Sequence, residues 1–157
     1  MKIAVISDSH DNVANLKRVY SIIKKEKIKI IIHCGDIASI ETLKEVFGKF
    51  KGKIYASLGN MDKERDFSIK KDPKLPQLKV YSNYGSIRNI AFTHSRETAR
   101  KLSETKKYDL VFYGHTHKPW EEKIGKTKMV NPGNVAGITY RATFAIYDND
   151  KLKLVIL

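Results

Sequence analysis

From Lys2 to Leu58 the chain alternates short runs rich in Ile and Val with segments of helical periodicity, and this alternation constrains its fold more than any other feature. Lys2 to Ser7 is an apolar, β-branched run. In the segment that follows, Val13, Leu16, Tyr20 and Ile23 share one helical face. Asp11 or Asn12 can cap that helix by accepting a bond from a free N–H of its first turn. Lys29 to His33 is a second apolar run, Ile40, Leu43, Val46, Phe47 and Phe50 mark a second amphipathic helix, and Lys53 to Leu58 is a third strand. Runs apolar at every position belong to strands buried on both faces. Strands that alternate with helices are parallel and joined by right-handed crossovers.

The pattern changes beyond Asn60. Lys63 to Gln77 is polar, and Pro73 and Pro76 discourage regular structure, so this stretch reads as a mobile loop. Leu78 to Ser82 and Ser86 to Thr93 read as two strands around an Asn-Tyr-Gly turn. A helix follows from about Glu97 to Lys106, and Asp109 to Tyr113 is a further buried strand. Lys128 to Val130, Ala142 to Tyr147 and Leu152 to Ile156 are short strands, with Asn131-Pro132-Gly133 read as a turn. A C-terminal third that is mainly β fits two stacked sheets with helices outside better than one doubly wound sheet. At 157 residues and 41% hydrophobic, residues 1–157 are sized for a single domain.

Cys34 is the only cysteine, which excludes an intramolecular disulfide and any Cys-x-x-Cys site. The first apolar segment stops at Ile6, too short for a secretory core, and nothing approaches the roughly 18 apolar residues of a membrane span. These features predict a cytoplasmic protein with no membrane partner. The net charge of +13 attracts anions. The lysines are dispersed, however, and no compact basic run carries interleaved aromatics. A solvated lysine coat of the kind thermophiles carry is favoured over a nucleic-acid groove.

Four of the five histidines follow apolar runs, in the company of two aspartates and an asparagine. The stretches are Ser-Asp8-Ser-His10-Asp, His-Cys-Gly-Asp36, Leu-Gly-Asn60-Met-Asp62, Phe-Thr-His94 and Tyr-Gly-His115-Thr-His117. In open α/β sheets the loops after the strands meet along one edge, where ligands bind. In extended chain, residues i and i+2 point to the same side, so Asp8 with His10, and His115 with His117, can each present two donors together. Asp oxygen and neutral imidazole nitrogen suit Mn, Ni, Fe or Zn. A Gly precedes Asp36, Asn60 and His115, which permits sharp turns or close backbone approach. Alone, Asp8 or Asn60 is a turn residue and a strand-end His is structural. Joint occurrence at five successive strand ends is what points to metal.

The ordered series Asp8-x-His10, Gly-Asp36, Gly-Asn60-x-Asp62, His94, Gly-His115-x-His117 resembles the calcineurin-like metallophosphoesterase superfamily, near its small bacterial and archaeal phosphodiesterases. The likeness runs from Met1 through Asn131-Pro132-Gly133. It implies the α/β metallophosphoesterase fold, a four-layer α-β-β-α sandwich of two mixed sheets flanked by helices. It also implies two divalent ions, with Mn the first choice and Ni, Fe, Zn or Mg as alternatives. One ion would take Asp8, His10, Asp36 and His117, the other Asp36, Asn60, His94 and His115, with Asp36 bridging. The implied reaction is hydrolysis of a phosphate ester by hydroxide held between the ions. Asn60 would also hydrogen-bond the phosphoryl group, and Asp62 would orient a neighbouring histidine or water.

Two positions depart from family patterns. Met61 stands where many larger family phosphatases carry a His that assists the leaving group, and Ser95-Arg96 follows His94 where small phosphodiesterases often read His-Gly-His. Arg96 either grips a substrate phosphate or faces solvent as a helix-start residue. The resemblance favours a phosphodiesterase over a phosphomonoesterase. It leaves open a non-catalytic scaffold, as in a retromer subunit of this fold, and a nuclease, as in DNA-processing relatives. A homo-oligomer is compatible with each.

Overall fold

The computed structural model describes residues 1–64 and 75–157. The first half runs β1 (Lys2–Ile6), α1 (Val13–Lys25), β2 (Ile30–His33), α2 (Ile40–Phe47), β3 (Lys53–Ser57) and α3 (Asn60–Glu64). Next come β4 (Leu78–Tyr81), β5 (Tyr84–Ile87), β6 (Ile90–Thr93), α4 (Arg96–Glu104) and β7 (Leu110–Phe112). The last strands are β8 (Trp120–Ile124), β9 (Thr127–Asn131), β10 (Thr143–Asp148) and β11 (Lys151–Ile156).

β1 is apolar along its length because both of its faces are covered. Ala4 and Ile6 pack with Leu16, Val19 and Leu43 of the helices, while Ile3 and Val5 pack with Phe92 and Phe112 of a second sheet. Side chains alternate faces along a strand, so one unbroken run feeds two cores. The first sheet has the order β11-β10-β1-β2-β3-β4 and the second β5-β6-β7-β9-β8. β1 to β4 are parallel, with Ile3 opposite Ile30 and Ile31 opposite Ile54, whereas β10 and β11 run antiparallel. β6, β7 and β9 are parallel, flanked by antiparallel β5 and β8. α4 covers the outer face of the second sheet through Ala99 and Leu102 against Val111 and Met129. The layers are therefore helices, sheet, sheet, helix, as the sequence predicts.

Each long helix starts on a side-chain cap. Asn12 accepts from Asn15 N–H, Ser39 from Thr42 N–H and Ser95 from Thr98 N–H. Such caps stabilise by about 1 kcal/mol each and fix where the preceding loop ends. Because β1, β2, β3, β6 and β7 all lead into these loops at their carboxyl ends, one edge of the sandwich collects them. No helix among the described residues is long and apolar enough to cross a membrane.

Several elements differ from the sequence reading. Ser86 to Thr93 is not one strand but most of a hairpin, β5 with β6, turning at Arg88-Asn89 with Arg88 in left-handed backbone (φ 53°). β4 and β5 do not pair around Asn-Tyr-Gly; that link carries the chain from the first sheet to the second. α3 and β8 were not expected. Most of the loop predicted from Lys63 to Gln77 falls outside the described residues, although Leu75 at its end is buried in the helix-side core.

Candidate metal centre

Asp8 and His10 follow β1, Asp36 follows β2, Asn60 opens α3 directly after β3, His94 follows β6, and His115 and His117 follow β7. The backbone that carries them is bent sharply. Asp8, His10, Asp36, His115 and His117 all have positive φ, from 41° to 69°. Left-handed backbone costs an L residue roughly 1–2 kcal/mol and is uncommon outside Gly, although Asn, Asp and His adopt it more often than other residues. The extended geometry expected for Asp8-x-His10 and His115-x-His117 therefore does not hold; these residues converge through consecutive sharp turns.

Neighbouring loops hold that conformation in place. Asp8 N–H donates to Gly35 O at 2.9 Å, His10 N–H to Asp36 O at 3.1 Å, and Ala136 N–H to Asp8 O at 3.0 Å. Gly35 itself lies at φ +92°, where a Cβ would come 2.8 Å from the His94 Cβ. Strained backbone persists only where its surroundings over-determine it, and it concentrates at functional sites.

Donor atoms of Asp8, His10 and His117 lie within 4.8 Å of one another, and so do those of Asp8, Asp36 and His94. Asp36 Oδ2 stands 3.8 Å from His10 Nε2 and 3.6 Å from His94 Nε2. On the far side, His94 Nε2 meets Asn60 Oδ1 at 3.0 Å and His115 Nδ1 at 3.2 Å. All seven predicted ligands thus gather in two adjoining groups with Asp36 between them. Asp8 (0% exposed), Asp36 (3%) and His94 (6%) form a buried floor. Asn60 and His115 stand exposed at the rim.

Several of these atoms lack the partners that burial demands. Asp8 Oδ1 and His10 Nε2 are buried without a hydrogen bond, and Asp8 Oδ1 merely faces His117 Nε2 at 3.3 Å. His94 Nδ1 lies 2.8 Å from the Cys34 carbonyl, which can only accept, so the lone pair of the neutral ring is on Nε2. That lone pair faces the acceptor oxygens Asn60 Oδ1 and Asp36 Oδ2. A buried group of converging acceptors is unfavourable until a cation occupies it. A histidine that gives its second N–H to a carbonyl is also the usual metal-ligand arrangement. The residues fit divalent metal ions.

The charges agree with that reading. Burial alone would push the Asp8 carboxyl up, but His117, His94 and Ser7 together hold it below the ordinary carboxylate range. The same Asp8 contact, against some desolvation, raises His117 above the usual imidazole value. An ion bound through His117 would have to displace that proton, so its affinity would fall as pH drops.

Asp62 has a different place from the one expected. Its Oδ1 accepts from Ile37 N–H and Ala38 N–H at 2.8 and 2.9 Å, and its Oδ2 accepts from Gly59 N–H at 2.9 Å. The buried carboxylate ties the loop after β2 to the turn after β3. Met61 N–H donates to Asp36 Oδ1 at 3.0 Å. Ser95 caps α4, and Arg96, exposed at the start of that helix, pairs with Glu122 at 3.0 Å.

Asn131-Pro132-Gly133 is more than a turn. Asn131 Nδ2 donates to Gly114 O and Thr116 Oγ1, each at 2.9 Å, and Asn134 Nδ2 donates to His117 O at 3.1 Å. These two amides pin the loop that carries His115 and His117. The two asparagines bracketing Pro-Gly were the available signal.

His33 lies outside the ligand set. Gly35 N–H donates to its Nδ1 at 3.2 Å, so its proton sits on Nε2 and goes to Ser9 Oγ at 2.9 Å. Burial drives its pKa down to about 4, against the upward pull of Asp62 and Asp8. A histidine with a depressed folded pKa leaves stability unchanged above its unfolded value near 6.5 and erodes it as pH falls from there to about 4. For metal-free protein we expect a loss of at most about 3 kcal/mol from this group over that window. Denaturant titrations at pH 7 and pH 5 on the parent and His33→Phe check this: the stability gap between them should narrow at pH 5. A constant gap would remove His33 as the source.

Comparison with known proteins agrees with this geometry. The family described as the calcineurin-like phosphoesterase superfamily domain matches residues 1–152. A phosphodiesterase of Methanocaldococcus jannaschii is 30% identical over 158 aligned positions, covering 96% of this chain and 95% of that one. A solved archaeal phosphodiesterase superposes with a TM-score of 0.88 at 30% identity, with both chains fully covered. The Vps29 protein of Entamoeba histolytica shares the fold at a TM-score of 0.67 and 17% identity, covering 100% of this chain and 99% of that one. With the family match running from Met1 to Leu152, the chain belongs to the calcineurin-like phosphoesterase superfamily.

Proposed function

We propose that this protein is a metal-dependent phosphodiesterase whose two divalent ions are held by Asp8, His10, Asp36 and His117 on one side and by Asp36, Asn60, His94 and His115 on the other. The observation that carries this reading is the position of Asp36 Oδ2, within 3.8 Å of a histidine nitrogen in each group. Mixed carboxylate and imidazole donors suit Mn, which is our first choice of ion. When bound, such ions supply a nucleophile from water at neutral pH and neutralise charge on the phosphoryl oxygens.

The chain's own groups do the rest. Asp8 and Asp36 bring negative charge to the floor and leave the loaded site positive towards an anionic ester. Asn60, exposed at the rim, can donate its amide N–H to a phosphoryl oxygen. Met61 offers no proton to the leaving group, and Asp62 is committed to three backbone N–H groups, so neither serves as the general acid. Buried Cys34, the only cysteine, fits a reducing cytoplasm.

A diester needs room for two substituents. A cavity of about 220 Å³ lined by Leu58, Gly59, Asn60, His94, Ser95 and His115 opens on one side of the ligand set. A second, of about 310 Å³, is lined by Thr116, between His115 and His117, and by Lys118, next to His117. Bis-p-nitrophenyl phosphate and p-nitrophenyl phosphate, each with Mn-loaded protein, test the assignment. The diester should show the higher kcat/KM. Cleavage of the monoester with no attack on the diester would reverse it.

A further inference from the structure

The 310 Å³ cavity is lined by Arg96, Tyr113, Thr116, Lys118, Trp120 and Tyr140. None of these residues is a candidate metal ligand, but three of them neighbour candidate ligands along the chain. Arg96 lies two residues after His94, Thr116 lies between His115 and His117, and Lys118 follows His117. Tyr140 N–H donates to the Ile138 carbonyl at 2.8 Å, and that carbonyl helps to raise the pKa of His117. Whatever fills this space lies against the same loops that carry the ligands.

Its chemistry is specific. Trp120 is 48% exposed and Tyr140 41%, and with Ile138 they make up half of the six large exposed hydrophobic side chains among the described residues. Apolar side chains concentrated on a charged surface mark a binding site. The Lys118 ammonium sits 5.2 Å from the Trp120 ring centroid and has no carboxylate partner among the described residues. Arg96 adds a second cation, partly neutralised by Glu122. Flat aromatic faces beside unneutralised positive charge fit a planar ring joined to an anion. A nucleotide has both, and stacking on aromatic side chains accepts any base. Lipid head-group diesters offer no planar ring. The volume lies at the small end of the roughly 300–1,000 Å³ range of small-molecule sites, enough for one nucleoside and too little for a duplex.

We propose that this groove is a nucleoside subsite, with Trp120 and Tyr140 stacking the base and Lys118 holding an adjoining phosphate. The substrate would then be a phosphodiester that carries an unpaired nucleoside, such as a dinucleotide or the end of a short single strand. The proposal rests on the phosphodiesterase reading for its orientation, but the binding it invokes needs no turnover.

Trp120 is the only tryptophan in the chain, so its fluorescence reports on this groove alone. Adenosine 5′-monophosphate should quench it saturably, with and without Mn, whereas glycerol 3-phosphate should not. Tyr140→Ala should raise the AMP midpoint on the order of tenfold, the worth of one stacked base, and Lys118→Gln should raise it as well. In turnover, Trp120→Ala should lower kcat/KM for a dinucleotide relative to glycerophosphoethanolamine by a similar factor. Unsaturable quenching, equal response to glycerol 3-phosphate, or an unmoved midpoint in Tyr140→Ala would overturn the subsite. Quenching that persists in a protein unable to cleave bis-p-nitrophenyl phosphate would instead sink the catalytic reading and leave the subsite standing.

Discussion

Asp36→Asn should lower kcat/KM for bis-p-nitrophenyl phosphate on the order of 10³-fold, because a metal ligand shared as proposed would act on both ions, and metal stabilisation of the transition state is worth several kcal/mol. Asp36 Oδ2 faces one histidine nitrogen of each group, and Oδ1 is occupied by Met61 N–H. The amide is isosteric but cannot serve both ends. If its oxygen stays with Met61, an NH₂ donor points at the ions; if it turns round, Met61 N–H loses its acceptor. Either way one negative charge is gone from a site built to balance cations. Metal content per chain should fall with the rate, while the metal-free variant should melt close to the metal-free parent, since shape and burial are kept. Unaltered hydrolysis by the variant would show that Asp36 does not bridge.

The sequence carried much of this, for physical reasons that can be traced residue by residue. Strands buried on both faces are written as unbroken apolar runs, so β1 to β3 are legible in Lys2 to Ser7, Lys29 to His33 and Lys53 to Leu58. The gathering of candidate ligands is legible because Asp, Asn and His at five strand ends have no common structural role. What stayed hidden depends on tertiary context. Trp120 to Ile124 is an edge strand whose charged side chains face water, so it carries little apolar periodicity to read. The β5–β6 turn has Arg88 at positive φ where Gly or Asn would have announced it. The roles of Asp62 and Asn131 were hidden for a further reason. Each holds backbone groups of distant loops, and a bond between Asp62 and Ile37 N–H has no signature in local spacing. The left-handed backbone at His10, His115 and His117 was likewise unreadable, since histidine's modest enrichment in that conformation marks no single position.

Gly59→Ala should be nearly as damaging to activity as losing a ligand, although residue 59 offers no donor side chain. A Cβ at this position would strike the Asp36 Oδ1 and backbone N and come within 2.8 Å of the Asp36 Cγ. Relief requires that either the Asp36 carboxylate or the turn after β3 move. The carboxylate is held by Met61 N–H, and the turn is held by the Asp62 carboxylate, which grips Gly59 N–H and the two N–H groups after Asp36 together. Neither can give without breaking buried hydrogen bonds. Overpacking of this kind costs about 1–3 kcal/mol, and shifting a reactive group by 1 Å costs on the order of 10²-fold in rate. The expected variant is folded, melts several degrees lower, and has at least about 10²-fold lower kcat/KM with weakened metal binding. Rates compared well below both melting points, with metal content determined alongside, separate displacement of Asp36 from simple unfolding. Parent-like rate and metal content would mean that this turn has slack, and that the contact between Gly59 and Asp36 does not set the position of the carboxylate.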